Sequence, residues 1–251
     1  MNICITGASS GIGVALAFQL ANDGHFVWGV AREAGLFEDL KKKFPNSKLF
    51  FTAVDVSSRD EVLALSVKMK NSGFFPDSIF LCAGILKDDL NGGFKREISD
   101  ITMGVNFFGV LNFVDAFLPE FLNRGAGQFV ALSSTTVIRP TNGGVSYPAS
   151  KAALSSAFKV FDLNYRPKGV AFSTVYTGPI ATDLLGRSGG FLVSTPYKVA
   201  KLLKRVLITR KSVYYTSNII KILFCFPPII GDSIFIKISN LIKRINIKKS
   251  L

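Results

Sequence analysis

Histidine is almost missing from this chain: His25 stands alone among 251 residues, between a glycine and an apolar run. That scarcity argues against a zinc site, which draws its ligands largely from His and Cys, and against a Ser-His-Asp hydrolase. Cysteine is scarce as well. Cys4, Cys82 and Cys225 have no metal-like spacing, and Cys4 and Cys82 fall in apolar, strand-like runs, so no metal and a reducing, cytoplasmic setting are expected. No signal-peptide pattern opens the chain, because Met1 leads straight into the short run Asn2-Ile-Cys-Ile-Thr6. Long uncharged runs are also lacking towards the C-terminus. The longest there, Ile222 to Gly231, has 10 residues, against about 20 for a membrane span. No internal repeat or low-complexity segment is visible.

Acidic residues are all but missing from the last fifth of the chain, and this shapes its net charge of +13. From Met1 to Tyr197 there are 18 basic and 16 acidic residues, whereas Lys198 to Leu251 carries 12 basic residues against Asp232 alone. From Ile234 onward, Phe235, Ile238, Leu241, Ile242 and Ile245 recur at helical spacing. Lys237, Ser239, Asn240, Lys243, Arg244 and Asn246 occupy the other side. An apolar stripe opposite a basic face is what an interfacial helix presents to anionic lipid. The same stripe would also serve for packing on its own domain or on a second subunit. Nucleic acid is not the expected partner, since long aliphatic runs replace stacking aromatics among these charges.

What is present is a series of apolar runs separated by helical patterns. Ile3 to Gly13 reads as a strand, a glycine-rich turn and a helix start. The spacing of Gly7, Gly11 and Gly13 lets the backbone approach a pyrophosphate, and the helix that follows offers it free N–H groups and a positive dipole end. The next strand, His25 to Ala31, ends at Arg32. An acidic residue near that point would hold a ribose 2′-hydroxyl, whereas an arginine favours a 2′-phosphate, so the cofactor expected is NADP(H), with Ser9 as a second contact. A third strand, from Lys48, closes on Asp55-Val56. A fourth, Ser78 to Cys82, stops at Ala83-Gly84. A helix is expected from about Ser99 to Asn123, disturbed late by Pro119. Asn106 within it either bonds locally or bends the helix and frees a carbonyl for water. Further strands are read at Gln128–Leu132, Gly169–Tyr176 and Ser212–Thr216, with a helix from Ser194 to Arg210. The fold class is therefore α/β, a doubly wound parallel sheet of Rossmann type in a single domain, 1–216, followed by a basic amphipathic helical extension, 217–251.

The stretch that gives these runs a chemistry is Ser133 to Lys151. Tyr147 and Lys151 stand four apart at the start of an alanine-rich helical pattern, so they share a face. An ammonium beside a phenol lowers its pKa from about 10 and makes it a usable proton donor and acceptor. Ser134 ends the preceding strand, where its hydroxyl would hold the oxygen whose charge changes.

Taken together, these residues resemble the short-chain dehydrogenase/reductase family, over Met1 to about Thr216. The motifs are Thr6-Gly7-Ala8-Ser9-Ser10-Gly11-Ile12-Gly13, Asp55, Asn106, Ser134, Tyr147, Lys151 and Gly178-Pro179-Ile180-Ala181-Thr182. The resemblance implies that Tyr147 is the general acid/base, that Lys151 lowers its pKa and holds the nicotinamide ribose, that Ser134 orients the substrate carbonyl and that Asn106 supports a water relay. It implies cofactor contacts from Gly7, Ser9, Ser10, Gly11, Ile12, Gly13, Arg32, Asp55, Val56, Cys82, Ala83, Gly84, Tyr147, Lys151, Pro179, Ile180 and Thr182. One departure stands out. The family often has Asn-Ala-Gly after the fourth strand, and this chain has Cys82-Ala83-Gly84, whose thiol lacks the amide's hydrogen bonds. The segment from Thr182 to Pro196 is also short, as in an open substrate pocket or one completed by another part of the chain.

The expected activity is NADPH-dependent reduction of a carbonyl to an alcohol. An amphiphilic substrate, a keto-lipid or lipid-linked keto-sugar, goes with a tail that rests on the inner face of a membrane. The alternative is a soluble reductase of small or sugar-like carbonyls whose tail builds a homo-oligomer. A non-catalytic NADP-binding protein is a more remote one.

Overall fold

The computed structural model describes residues 1–33, 35–43, 45, 48–138, 144–181, 193–218 and 221–222. Seven parallel strands form its centre: β1 (Asn2–Thr6), β2 (Phe26–Ala31), β3 (Leu49–Ala53), β4 (Ser78–Leu81), β5 (Gly127–Ser134), β6 (Val170–Thr177) and β7 (Val213–Tyr215). They lie in the order β3-β2-β1-β4-β5-β6-β7. The chain runs outward in one direction through β1, β2 and β3, then returns to pair β4 with β1 and continues the other way. The crevice between the C-terminal ends of β1 and β4 is therefore the switch point, where open α/β sheets bind their ligands.

Helices α1 (Gly11–Asn22), α2 (Leu36–Lys43), α3 (Arg59–Asn71), α4 (Arg96–Met103), α5 (Gly109–Arg124), α6 (Ser146–Tyr165) and α7 (Pro196–Thr209) cover the sheet. Alternation along the strands divides the core between two faces. Ile3, Ile5, Phe80 and Leu132 pack with Leu16 and Leu20 of α1 and Leu203 and Val206 of α7. Cys4, Ile79, Leu81 and Ala131 pack on the other face with Leu65 of α3, Phe113 and Phe117 of α5 and Phe158 of α6. Strands buried on both faces explain why they read as apolar runs.

The helix expected from Ser99 to Asn123 begins at Arg96, runs through a π turn at Gly104–Phe108, and ends at Arg124. Pro119 lies inside it without ending it. Pro119 and Asp115, whose carbonyl loses its helical partner, are both exposed, so that group is open to solvent. Among the described residues this one helix, Arg96–Arg124, is long and apolar enough to cross a membrane. Its apolar face is instead buried against the sheet through Val110, Phe113, Phe117 and Phe121. The proposed extension 217–251 lies outside the described residues beyond Asn218, save for Lys221 and Ile222.

Candidate active site

The turn after β1 is set by glycine. Gly7 has φ +65°, and a Cβ there would lie 2.9 Å from the Ala83 backbone. Gly13 sits under the same turn, where a Cβ would meet the Gly7 carbonyl oxygen at 2.1 Å. Thr6 completes the junction, its Oγ1 accepting a hydrogen bond from the Ala83 N–H at 3.0 Å. These contacts bring the first turn of α1 over the crevice beside Cys82, Ala83 and Gly84.

Whether that crevice fits a dinucleotide is answered by comparing helix starts. At α3, Ser58 accepts from the Glu61 N–H and the first turn holds Asp60 and Glu61, so its positive end is already neutralised. At α1, Ser10 makes no side-chain cap and the first turn has no acidic residue. Among the described residues no cap side chain or first-turn acid occupies the N–H groups of Gly11, Ile12 and Gly13, which suits an external anion such as a diphosphate. The Ser57 hydroxyl, donating to Asp55 Oδ1 at 2.7 Å, lowers the Asp55 carboxyl pKa just beyond β3, and Arg32, exposed at the end of β2, adds a smaller lowering. Ser9 lies beside this edge, its carbonyl accepting from the Leu36 N–H. Val56 is buried against Gly109, and its carbonyl accepts from Asn112.

Strand pleating separates the two serines that end β5. Ser133 turns inward, its hydroxyl 2.7 Å from that of Ser155. Ser134 turns the other way and hydrogen-bonds the Tyr147 phenol. Its Oγ also accepts from the Thr136 N–H at 3.2 Å and the Thr136 hydroxyl at 2.9 Å. With those lone pairs engaged, the Ser134 hydroxyl is left to donate, which suits a group that holds an oxygen whose charge changes. Thr136 was not foreseen; the Ser-x-Thr spacing of an ST turn was its only signal.

Tyr147 is half-buried in the first turn of α6, and Lys151 follows one turn later with 5% exposure. Burial lowers the Lys151 pKa to about 8. Its Nζ donates to the Leu132 carbonyl at 2.9 Å and lies 5.9 Å from the Tyr147 ring centroid. Burial raises the Tyr147 pKa, while the Ser134 hydrogen bond pulls it the other way. Desolvation of the phenol is the larger of the two influences.

Asn106 occupies the π turn and is fully buried. Its Oδ1 accepts from the Ile85 N–H at 2.8 Å, and its Nδ2 donates to the Ile85 carbonyl at 3.0 Å and Ser150 Oγ at 3.2 Å. The bonding is not local, because the side chain clamps the loop after β4 to α6. The π turn, a feature common at functional sites, is what turns Asn106 towards that loop. The brace that Cys82 cannot supply therefore comes from Thr6 and Asn106. Burial pushes the Cys82 thiol up to about 12, so it stays protonated. A Cβ on Gly84 would lie 3.3 Å from Asn106 Oδ1 and 3.5 Å from Lys151 Nζ, which places these three together. Pro179 and Ile180 follow β6, where the Pro179 carbonyl accepts from Ser194 and Ile180 bridges Ser194. Thr182 lies outside the described residues. Among the described residues no group of three His, Cys, Asp or Glu could hold a metal.

Geometry of this kind, an open helix start at a sheet switch point with a phenol and an ammonium on the adjacent wall, belongs to a dinucleotide-binding oxidoreductase. Comparison with known proteins agrees. The family model described as short chain dehydrogenase matches residues 1–189. The glycine betaine reductase ATRR of Emericella nidulans is 35% identical over 187 residues, which cover 73% of this chain and 15% of that protein. The uncharacterized oxidoreductase Lin0452 of Listeria innocua is 31% identical over 190 residues, covering 73% of this chain and 75% of its own. An alcohol dehydrogenase from the archaeon Thermococcus sibiricus, solved with 5-hydroxy-NADP, superposes with a TM-score of 0.76. At 24% identity, over 86% of this chain and 95% of that one, it shares the fold. The chain belongs to the short-chain dehydrogenase family, whose members are nicotinamide-dependent oxidoreductases.

Proposed function

We propose that this protein is an NADPH-dependent reductase that converts a carbonyl to an alcohol, with Tyr147 as proton donor. The observation that carries this reading is the convergence of Ser134, Tyr147, Lys151 and Asn106 beside the crevice between β1 and β4. A bound nicotinamide supplies the hydride. Ser134 holds the carbonyl oxygen, Tyr147 protonates it, and the Lys151 ammonium stabilises the phenolate that remains. Asn106 keeps the loop wall against α6 and supports the path by which the phenol is reprotonated.

Preference for the 2′-phosphate is supported by Arg32 at the end of β2, near Asp55 and Ser9. Arg32→Ala is expected to raise KM for NADPH by about 10-fold or more and to leave KM for NADH within about 3-fold. Equal changes for both coenzymes in NADPH and NADH saturation curves would remove the assignment.

An amphiphilic substrate is supported by exposed apolar side chains on the loop after β4 and at the start of α6. Leu86, Leu90 and Phe94 on the loop after β4, and Val145 before α6, are all exposed. The basic amphipathic pattern of 217–251 would bring such a mouth to an anionic surface or a second subunit. The test is NADPH oxidation with 3-oxo esters of increasing chain length. Rising kcat/KM with length supports the reading, and a preference for the shortest ester favours a small-carbonyl reductase.

A further inference from the structure

The loop between β4 and α4, residues 83–95, hides a carboxylate among exposed neighbours. Asp89 is 0% exposed. Its Oδ1 accepts from the Val145 N–H at 2.6 Å, and its Oδ2 accepts from the Ser146 N–H at 3.0 Å and from the Ser146 hydroxyl. Its own carbonyl accepts from the Lys95 N–H at 2.8 Å, which closes the loop around it. Gly144 crosses directly above, where a Cβ would lie 2.4 Å from Asp89 Oδ1 and 2.9 Å from the Lys87 carbonyl.

These donors belong to the start of α6. That helix has Val145 at its N-cap with no side-chain cap, and no acidic residue in its first turn. It is capped instead from outside, by a residue 57 positions before Ser146. A carboxylate taken wholly out of water needs such charge-assisted partners, and the positive end of a 20-residue helix favours it further. Tyr147 is the next residue after Ser146. The loop so anchored begins at Gly84 beside Lys151 and carries Leu86 and Leu90. Asn106 ties the start of the same loop to Ser150, one turn further along α6.

We propose that Asp89 is a positioning residue for Tyr147. It fixes the first turn of α6 against the loop after β4, and thereby sets where the phenol meets the substrate oxygen. The proposal rests on the reading of Tyr147 as the proton donor.

The test is Asp89→Asn, which keeps the shape but sets an amide N–H₂ against groups that are themselves donors. With NADPH and ethyl acetoacetate, kcat is expected to fall by about 10- to 30-fold. The Kd for NADPH, read by fluorescence titration, should stay within about 3-fold, since the diphosphate site lies on α1. In a Tyr147→Phe background the same change should have no further effect, because both act through one group. Overturning results would be full activity in Asp89→Asn, or an equal loss in the Tyr147→Phe background, which would make the residue a general support of the fold. If Asp89→Asn does not fold, Ser146→Ala removes only the hydroxyl donor, with a fall of about 3-fold in kcat expected and no change contradicting the role. A parent protein inert towards every carbonyl would count against the reductase reading alone. Amide exchange at Val145 and Ser146 still decides the contact, being expected to quicken by about 10-fold in Asp89→Asn, with unchanged exchange refuting it.

Discussion

Tyr147→Phe is expected to lower kcat/KM for carbonyl reduction by about 10³-fold, within the range of about 10²- to 10⁴-fold for loss of a positioned acid. The ring remains and only the hydroxyl is removed, so NADPH affinity should change by no more than about 3-fold. Stopped-flow or steady-state NADPH oxidation reads the first quantity, and fluorescence titration the second. The pH profile adds a sign. Burial holds the phenol protonated and brings Lys151 down to about 8. As pH rises through about 8, the ammonium is lost, and with it the counter-charge for the phenolate formed when Tyr147 gives up its proton. Reductive kcat/KM should therefore be level below that pH and decline above it, and the residual rate of Tyr147→Phe should lack the decline.

Gly13→Ala is expected to raise the Kd for NADPH by at least about 100-fold, about 2.7 kcal/mol. The added methyl would sit 2.1 Å from the Gly7 carbonyl oxygen and 2.7 Å from its carbon, both backbone atoms. Neither can turn aside as a side chain would. Relief requires the turn to lift away from α1, and that turn is what aims the N–H groups of the first helical residues at the crevice. Overpacking of this kind also costs about 1–3 kcal/mol of stability. For a chain of this size that corresponds to a Tm about 5 °C lower. Calorimetry and equilibrium titration separate the two effects. A variant that bound NADPH normally would show that the glycine turn does not carry the cofactor.

The strands were legible because a parallel sheet covered on both faces makes each strand an apolar run, as with Ile3–Thr6 and Ser78–Leu81. The nucleotide crevice was legible for a related reason. Glycine at Gly7 and Gly13 is demanded by backbone contact, and such demands show in the residue type. Tyr147 and Lys151 on one helix follow from the helical period, whereas the choice of Ser134 over Ser133 came from the thirteen-residue interval to Tyr147 that resembles the family. What was not legible depends on partners far along the chain. Asn106 could be seen as unusual in an apolar helix, but its bonds to Ile85 and Ser150 arise from the π turn and the packing of α6. Asp89 sits in Lys87-Asp-Asp-Leu-Asn91, which reads as an exposed turn, and only the approach of Gly144 makes it a buried cap. The Tyr147 pKa was read from one nearby charge, whereas burial, which composition does not reveal, is the larger influence.

The most direct test follows the transferred hydrogen. NADPH carrying deuterium at the reactive C4 position is incubated with the full chain and a long-chain 3-oxo ester, and the product is analysed by mass spectrometry. The expected result is an alcohol one mass unit heavier, labelled at the former carbonyl carbon, formed about 10³-fold more slowly by Tyr147→Phe. Tight binding of NADPH with the ketone returned unchanged, or equal rates from the parent and the phenylalanine variant, would contradict it.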